Sequence, residues 1–339
     1  MAHRALILCV VLALGACRGR SGPPPGRAFY YWRTSFTLSA TEREALAELG
    51  VDHLYVRMFD VTWNEGEQRA LPVGPLTVPA GSTPPPGVAI VPVVFIRDEV
   101  LRHARPAPLA AELWAEVQRR TAALGAVPAE LQIDCDWTDT TRQPYFALLR
   151  ALRKAAGIPL SATIRLHQIK YRERTGVPPV ERGMLMFYNM GKFSPDPDAR
   201  AIFDPDAAQR YLARLDDYPL PLDLALPIWS WTVQVRDDAV VGLLQRTDPA
   251  TLDAIDFLRR GADGRYTATR TTFLDGHLLR EGDQLKTEVT GPEDPRAAAV
   301  LVAPHLAAGP RTVTIFDLSE RNLVRHDPRS LDRVFRALR

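Results

Sequence analysis

The chain has 339 residues and a formal net charge of +2, with 46% hydrophobic and 24% charged side chains. That composition is ordinary for a globular protein, and so slight a charge excludes nucleic acid gripped through its phosphates. Three cysteines rule out a disulfide framework, and the length suits one large domain or two small ones.

The first residues read as a processing signal. His3 and Arg4 precede an apolar stretch, Ala5 to Leu14, that is too short to cross a bilayer, and Leu14-Gly15-Ala16-Cys17 follows. Small residues running into a cysteine directly after an apolar segment resemble the lipobox of bacterial lipoproteins. The resemblance implies a signal peptide over 1–16, cleavage before Cys17, and lipid on Cys17 as the attachment to a membrane. An ordinary signal peptide cut nearby is the alternative. Residues 17–27, with Pro23-Pro24-Pro25, make a polar tether. Arg18, in place of the Asp that retains lipoproteins at the inner membrane, implies the outer membrane. Cys9 leaves with the signal peptide, Cys17 carries lipid and Cys135 stands alone.

From residue 28 to 339 strand and helix patterns alternate. The predicted strands are Ala28–Phe36, His53–Phe59, Val88–Ile96, Glu130–Asp136, Leu160–Leu166, Met184–Asn189, Leu222–Trp229 and Thr312–Asp317. Each is rich in β-branched or aromatic residues, or is a short apolar run of the kind a parallel strand needs when both faces are covered. Helical spacing lies between most of them: Tyr145, Leu148, Leu149, Leu152; Ala208, Tyr211, Leu212, Leu215; Leu331, Val334, Phe335, Leu338. A Pro/Gly-rich loop is expected over 71–87. Eight strands in this length predict an α/β fold, a (β/α)8 TIM barrel. A doubly wound open sheet competes, but no Gly-rich phosphate fingerprint follows an early strand. Residues 233–291 break the rhythm. Ala262-Asp263-Gly264 and Asp275-Gly276 mark hairpin turns there, so a small β-rich insertion on the barrel rim is expected after the seventh strand.

Barrel chemistry sits where strands end. The predicted C-terminal ends carry Arg33, Arg57, Asp60, Arg97, Asp98, Asp134, Asp136, Arg165, His167, Tyr188, Asn189, Trp229, Trp231, Asp317 and Glu320. Within Leu131-Gln132-Ile133-Asp134-Cys135-Asp136-Trp137-Thr138, period-two alternation puts Asp134, Asp136 and Thr138 on one face, toward the barrel interior, and Cys135 toward the helices. Two carboxylates so close cannot both ionise freely, and a raised carboxyl is what general-acid work needs. Arg165 or Arg97 could instead neutralise the pair and make it structural.

Ile133-Asp134-Cys135-Asp136-Trp137 resembles the Asp-x-Asp-x-Glu core of glycoside hydrolase family 18, the chitinase-like barrels. Met186-Phe187-Tyr188-Asn189 is similar to that family's Met-x-Tyr-Asp/Asn, Ala225-Leu226-Pro227 to its Gly-x-Pro, and Tyr30-Tyr31-Trp32 to its aromatic first strand. The resemblance implies Asp134 and Asp136 in a catalytic cluster, with Tyr188 and Asn189 contacting a sugar. The chain departs from the pattern at the catalytic acid, which falls on Thr138. It departs again at the third strand, where Phe95-Ile96-Arg97 replaces Ser-x-Gly-Gly, and at the eighth, where Phe316 and Asp317 replace a Trp. Leu160–Gln168, Gly176–Arg182 and Met184–Gly191 also resemble a bacterial lipoprotein family defined only as a domain of unknown function.

Trp229 and Trp231, two apart, are expected to share a face as a platform for sugar C–H surfaces, or else to pack as core. His167, on the face of Thr163 and Arg165, is expected to bind substrate or orient a carboxylate. Arg33, Arg57, Arg97 and Arg165, if not all paired, would favour an anionic glycan. No ligand spacing for zinc or calcium and no Gly-x-Ser-x-Gly elbow is present, so no metal or other cofactor is expected. The leading expectation is a glycosidase-like envelope lipoprotein acting through Asp134 and Asp136. The second carboxylate would be Asp60, Asp98, Asp317 or Glu320, and Arg57, Arg165, His167, Trp229, Trp231 and Asp317 would help hold the substrate. The alternative is a non-catalytic glycan-binding lipoprotein on the same scaffold, and a third reading is an assembly lipoprotein. A carbohydrate ligand, a membrane reached through lipid, no nucleic acid and a monomeric chain complete the expectation.

Overall fold

The computed structural model describes residues 24–196, 198–245 and 247–338; the expected signal peptide, Cys17 and most of the expected tether lie outside the described residues. Eight parallel strands close into a barrel: β1 (Gly26–Tyr31), β2 (His53–Asn64), β3 (Ala89–Ile96), β4 (Leu131–Asp134), β5 (Leu160–Arg165), β6 (Arg182–Met186), β7 (Leu222–Pro227) and β8 (Thr312–Phe316). Closure is made at β1, which pairs with β8 (Gly26↔Thr312) and with β2 (Ala28↔His53). Helices cover the outside, so each strand is buried on both faces and its sequence reads as an apolar run. Among the described residues no helix is long and apolar enough to cross a membrane.

Two cores result. The layer between strands and helices holds residues such as Ile133, Cys135, Leu148 and Leu152, the last two from α1 (Arg142–Ala156). That helix stops at Gly157, whose φ of 66° closes the C-terminus in a left-handed conformation. The barrel interior is filled by Ala28, Tyr30, Tyr55, Val91, Val93, Met184, Met186, Tyr188 and Ala225. Alternation along β4 and β5 is visible as a ladder of side-chain hydrogen bonds inside the barrel. Gln132 Nε2 donates to Ser161 Oγ at 3.1 Å, Thr163 Oγ1 to Asp134 Oδ1 at 2.6 Å, and Arg165 Nε to Asp136 Oδ1 at 2.5 Å.

Two stretches differ from expectation. β2 runs on to Asn64 and folds back against Arg69–Val73 in an antiparallel hairpin (Asn64↔Arg69), so strand replaces the first part of the expected loop. The rim insertion begins at Ser230, earlier than 233. It forms an antiparallel sheet in the order Ala239–Gln245, Ser230–Arg236, Gln284–Val289, Tyr266–Ala268, Leu258–Arg260, with its own apolar cluster around Leu244, Leu252, Tyr266 and Leu285. The Asp275-Gly276 signal is a two-residue hairpin between Thr272–Leu274 and His277–Leu279, with φ of 48° and 80° as a primed turn requires.

Candidate functional site

A cleft of about 400 Å³ opens at the C-terminal end of the strands. It is lined by carboxylates of Asp60, Asp134, Asp136 and Asp317, by Arg165, by Tyr188, Asn189, Ser230 and Gln245, and by the apolar groups of Trp32, Phe95, Met186, Trp229, Trp231 and Phe316. Asp134 and Asp136 both face it, as alternation predicts, while Cys135 is buried outside among the helices.

The centre of the site is Arg165. Its Nη2 donates to Asp134 Oδ1 at 3.1 Å, and its Nε engages Asp136. The two carboxylates differ in setting: the Asp134 side chain is 6% exposed, that of Asp136 54%. Burial pushes the Asp134 carboxyl above the usual carboxylate range; Arg165 pulls the other way, and the neighbouring Asp136 charge adds to the rise. For Arg165 burial opposes the charge, but the two carboxylates outweigh it and hold the guanidinium above its ordinary range. Arg165 therefore partly neutralises the pair.

The position that the family-18 resemblance reserves for a proton donor is turned away. Thr138 is exposed, does not line the cleft, and binds its hydroxyl to Thr140 at 2.9 Å. Regular strand structure ends at Asp134, and Trp137 anchors the following turn through Nε1 to the Thr175 carbonyl at 2.9 Å.

Several expected site residues lie elsewhere. A β-bulge between Arg57 and Phe59 re-aims β2, so Asp60 faces the cleft. Arg57 is buried behind it, donating to Asp60 Oδ1 at 2.7 Å and to the Gly74 carbonyl at 2.8 Å. His167 does not continue the face of Thr163 and Arg165. The chain enters the short helix Leu166–Lys170 there, with the Arg165 N–H bonded to Gln168 Oε1 at 2.8 Å, and the histidine is exposed outside the cleft. Arg33 pairs with Glu42 at 2.9 Å, Arg97 is exposed outside the cleft, and Asp98 accepts from Thr141 and Arg102. Glu320 is exposed in the first turn of a helix. Of the four proposed second carboxylates, Asp60 and Asp317 line the cleft; Asp317 accepts from Asn322 Nδ2 at 2.8 Å. Among the described residues no group of His, Cys, Asp and Glu is arranged to hold a metal ion.

Trp229 and Trp231 both line the cleft, but not as one flat platform. β7 ends at Pro227 and the rim sheet starts at Ser230, so the alternation restarts; the rings meet edge to face, 6.0 Å apart at 65°. Trp229 also meets Tyr188 (4.7 Å, 87°) and Phe316 (5.2 Å, 71°), and Phe316 meets Trp32 at 5.6 Å. Tyr188 donates its hydroxyl to Met186 Sδ at 3.0 Å, and burial raises its pKa.

Sequence reading did not find the supports of this wall. Glu288 accepts from Trp231 Nε1 at 3.1 Å and from the Ile202 N–H at 2.6 Å. Lys286, 6% exposed, donates to the carbonyls of Ala199 (2.7 Å), Ser194 (3.4 Å) and Asp196. The rim strand thus fixes both an aromatic wall and the loop after β6. Alternating charged residues on an insertion strand give no local signal for that.

Several solved structures share this architecture. The spore cortex-lytic enzyme SleL of Bacillus cereus superposes with a TM-score of 0.50 at 12% identity, over 94% of this chain and 75% of that one. The chitinase-like agglutinin RobpsCRA of Robinia pseudoacacia gives 0.52 at 12%, over 92% and 99%. Catalytic domain 2 of the Ostrinia furnacalis group II chitinase gives 0.50 at 13%, over 93% and 96%. The fold is chitinase-like. At such identities the likeness is one of fold alone. No protein-family model and no curated protein matches the chain.

Proposed function

We propose that this chitinase-like barrel is a carbohydrate-binding protein of the cell envelope. One observation carries the reading: an aromatic-walled cleft holds an Asp134–Arg165–Asp136 clamp, while the position resembling the family-18 acid is an exposed threonine outside the cleft. Sugar rings present C–H faces that pack on indole and phenyl rings, and their hydroxyls match a wall of carboxylates and amides. Hydrolysis of the glycosidase type needs a protonated carboxyl at the scissile oxygen. The Asp136 carboxylate is engaged by Arg165, and the raised carboxyl of Asp134 is nearly closed off.

A second reading, hydrolysis, is favoured by Asp60 and Asp317 sharing the cleft with Asp136. The two separate by turnover. Titrating oligosaccharides against indole fluorescence is expected to show saturable binding, with no new reducing ends on prolonged incubation. Release of reducing ends that Asp136→Asn abolishes would establish the enzyme instead.

We also propose lipid attachment at Cys17 and residence in the outer membrane. The lipobox resemblance and Arg18 support it. β1 begins at Gly26, at the barrel end opposite the cleft, so a tether from Cys17 would join the far end and leave the cleft facing away from the bilayer. Labelled palmitate incorporated by the parent chain and not by Cys17→Ala tests the attachment; equal labelling removes it.

A further inference from the structure

The last strand of the rim insertion does not line the cleft, yet it holds the wall that does. Along Gln284–Val289 and just beyond, every second residue makes a long-range bond. Lys286 holds the loop carbonyls of Ser194, Asp196 and Ala199. Glu288 accepts from Trp231 Nε1 and the Ile202 N–H, and Thr290 Oγ1 donates to the Trp229 carbonyl at 2.8 Å. Period-two alternation puts these three residues on one face.

Glu288 has the most exacting place. It stands directly opposite Trp231 in the ladder, and Gln245 stands opposite Trp231 on the other side, so all three share a face of the sheet. Two N–H donors, one indole and one backbone, meet this single side chain. Each takes its own carboxylate oxygen, Oε2 for the indole and Oε1 for Ile202. A glutamine of the same shape offers one acceptor and one donor, so one N–H would face another. The geometry therefore calls for a carboxylate, and its charge strengthens both bonds.

Trp231 is 7% exposed, so it serves the cleft chiefly as a backing. Its ring meets Trp229 at 6.0 Å and 65°, and Trp229 in turn meets Tyr188 and Phe316. Edge-to-face contacts of this kind persist only while the angle between the rings is kept. Resting on the carbohydrate reading above, we propose that Glu288 is a positioning residue for sugar binding. It acts through Trp231 to set the face that Trp229 presents in the cleft. The same bond spends the Trp231 N–H outside the cleft, so this wall recognises the C–H surface of a sugar ring and not a hydroxyl.

The test begins with calorimetric titration of the full chain with N-acetylglucosamine, glucose and xylose oligomers of equal length. The tightest binder then serves for the variants. Glu288→Leu is expected to weaken it about tenfold, and Glu288→Gln by a smaller factor. In a Trp231→Phe background, which keeps a ring but has no N–H, Glu288→Leu should cost no more than about twofold. Exchange of the Trp231 indole proton with solvent, read by NMR without ligand, should be slow in the parent and faster in both Glu288 variants. An equal tenfold loss with and without the Trp231 N–H would show Glu288 acting on the fold at large, and overturns the proposal. So does equal indole protection in parent and variants. If Glu288→Leu does not fold, the isosteric Glu288→Gln carries both readouts. A parent chain that binds none of the oligomers overturns the carbohydrate reading itself, and the positioning role with it.

Discussion

Both ends of the barrel hold an arginine against carboxylates, and the two arrangements have different consequences. At the end where strands begin, Arg182 grips Asp223 through two bonds of 2.8 and 2.7 Å, and Asp223 also accepts the Thr312 N–H at 2.6 Å. One arginine faces one carboxylate that is 2% exposed, and the pair is saturated. At the cleft one arginine serves two carboxylates, and the outer one stands half in solvent. A closed pair ties β6, β7 and β8 together. An oversubscribed pair leaves acceptors to be used by something else.

Arg165→Met should break that contrast most sharply. It leaves Asp134 buried without its cation, so urea unfolding at pH 7 is expected to lose about 3 kcal/mol. Asp134 has a folded pKa raised above its unfolded value, so its ionisation costs stability as pH climbs through the carboxylate range. Removing Arg165 raises it further; the loss should therefore be much smaller near pH 4, and an equal loss at both pH values would contradict the assignment. Asp223→Ala comes next. It should cost about 2 kcal/mol, tempered because Arg182 is 28% exposed, while carbohydrate affinity holds. An affinity that falls in step with stability would show that the ends are not separable.

Trp229→Ala should weaken oligosaccharide binding about tenfold, roughly 1.4 kcal/mol, since three aromatic neighbours lose their common wall. An unchanged titration would move the ligand away from that wall. Lys286→Met should leave the fold intact while hydrogen exchange speeds up over 194–201, with stability lower by about 1 kcal/mol. The smallest effect belongs to Glu130→Gln at the closed end. Burial raises the Glu130 pKa, against the pull of its bond with Ser161, so the parent loses stability as pH rises through the carboxylate range. The variant should gain slightly at pH 7, and the gain should close on acidification; a loss at pH 7 would show the charge is needed.

Much of the barrel was legible in the chain. All eight strands, the faces of Asp134, Asp136 and Cys135, and the Asp275-Gly276 turn follow from local periodicity. Misplaced residues cluster where periodicity lapses. A single bulge in β2 exchanges Arg57 for Asp60 at the cleft; a helix starting at Leu166 carries His167 away; β7 yields to a new sheet between Trp229 and Trp231. In each case the backbone changes conformation within a residue or two of the site, and strand alternation cannot be carried across the change.

Alternation is a property of neighbours in sequence, so the sequence by itself determined which side chains of each strand enter the barrel and which meet the helices. It also carried the cysteine and apolar pattern at the N-terminus. Tertiary structure alone decided that Arg165 is shared between two aspartates, that Thr138 stands outside, and that Lys286 and Glu288 brace a loop some 90 residues away. Those outcomes depend on barrel closure, which brings together charges far apart along the chain and sets how many oppose each cation.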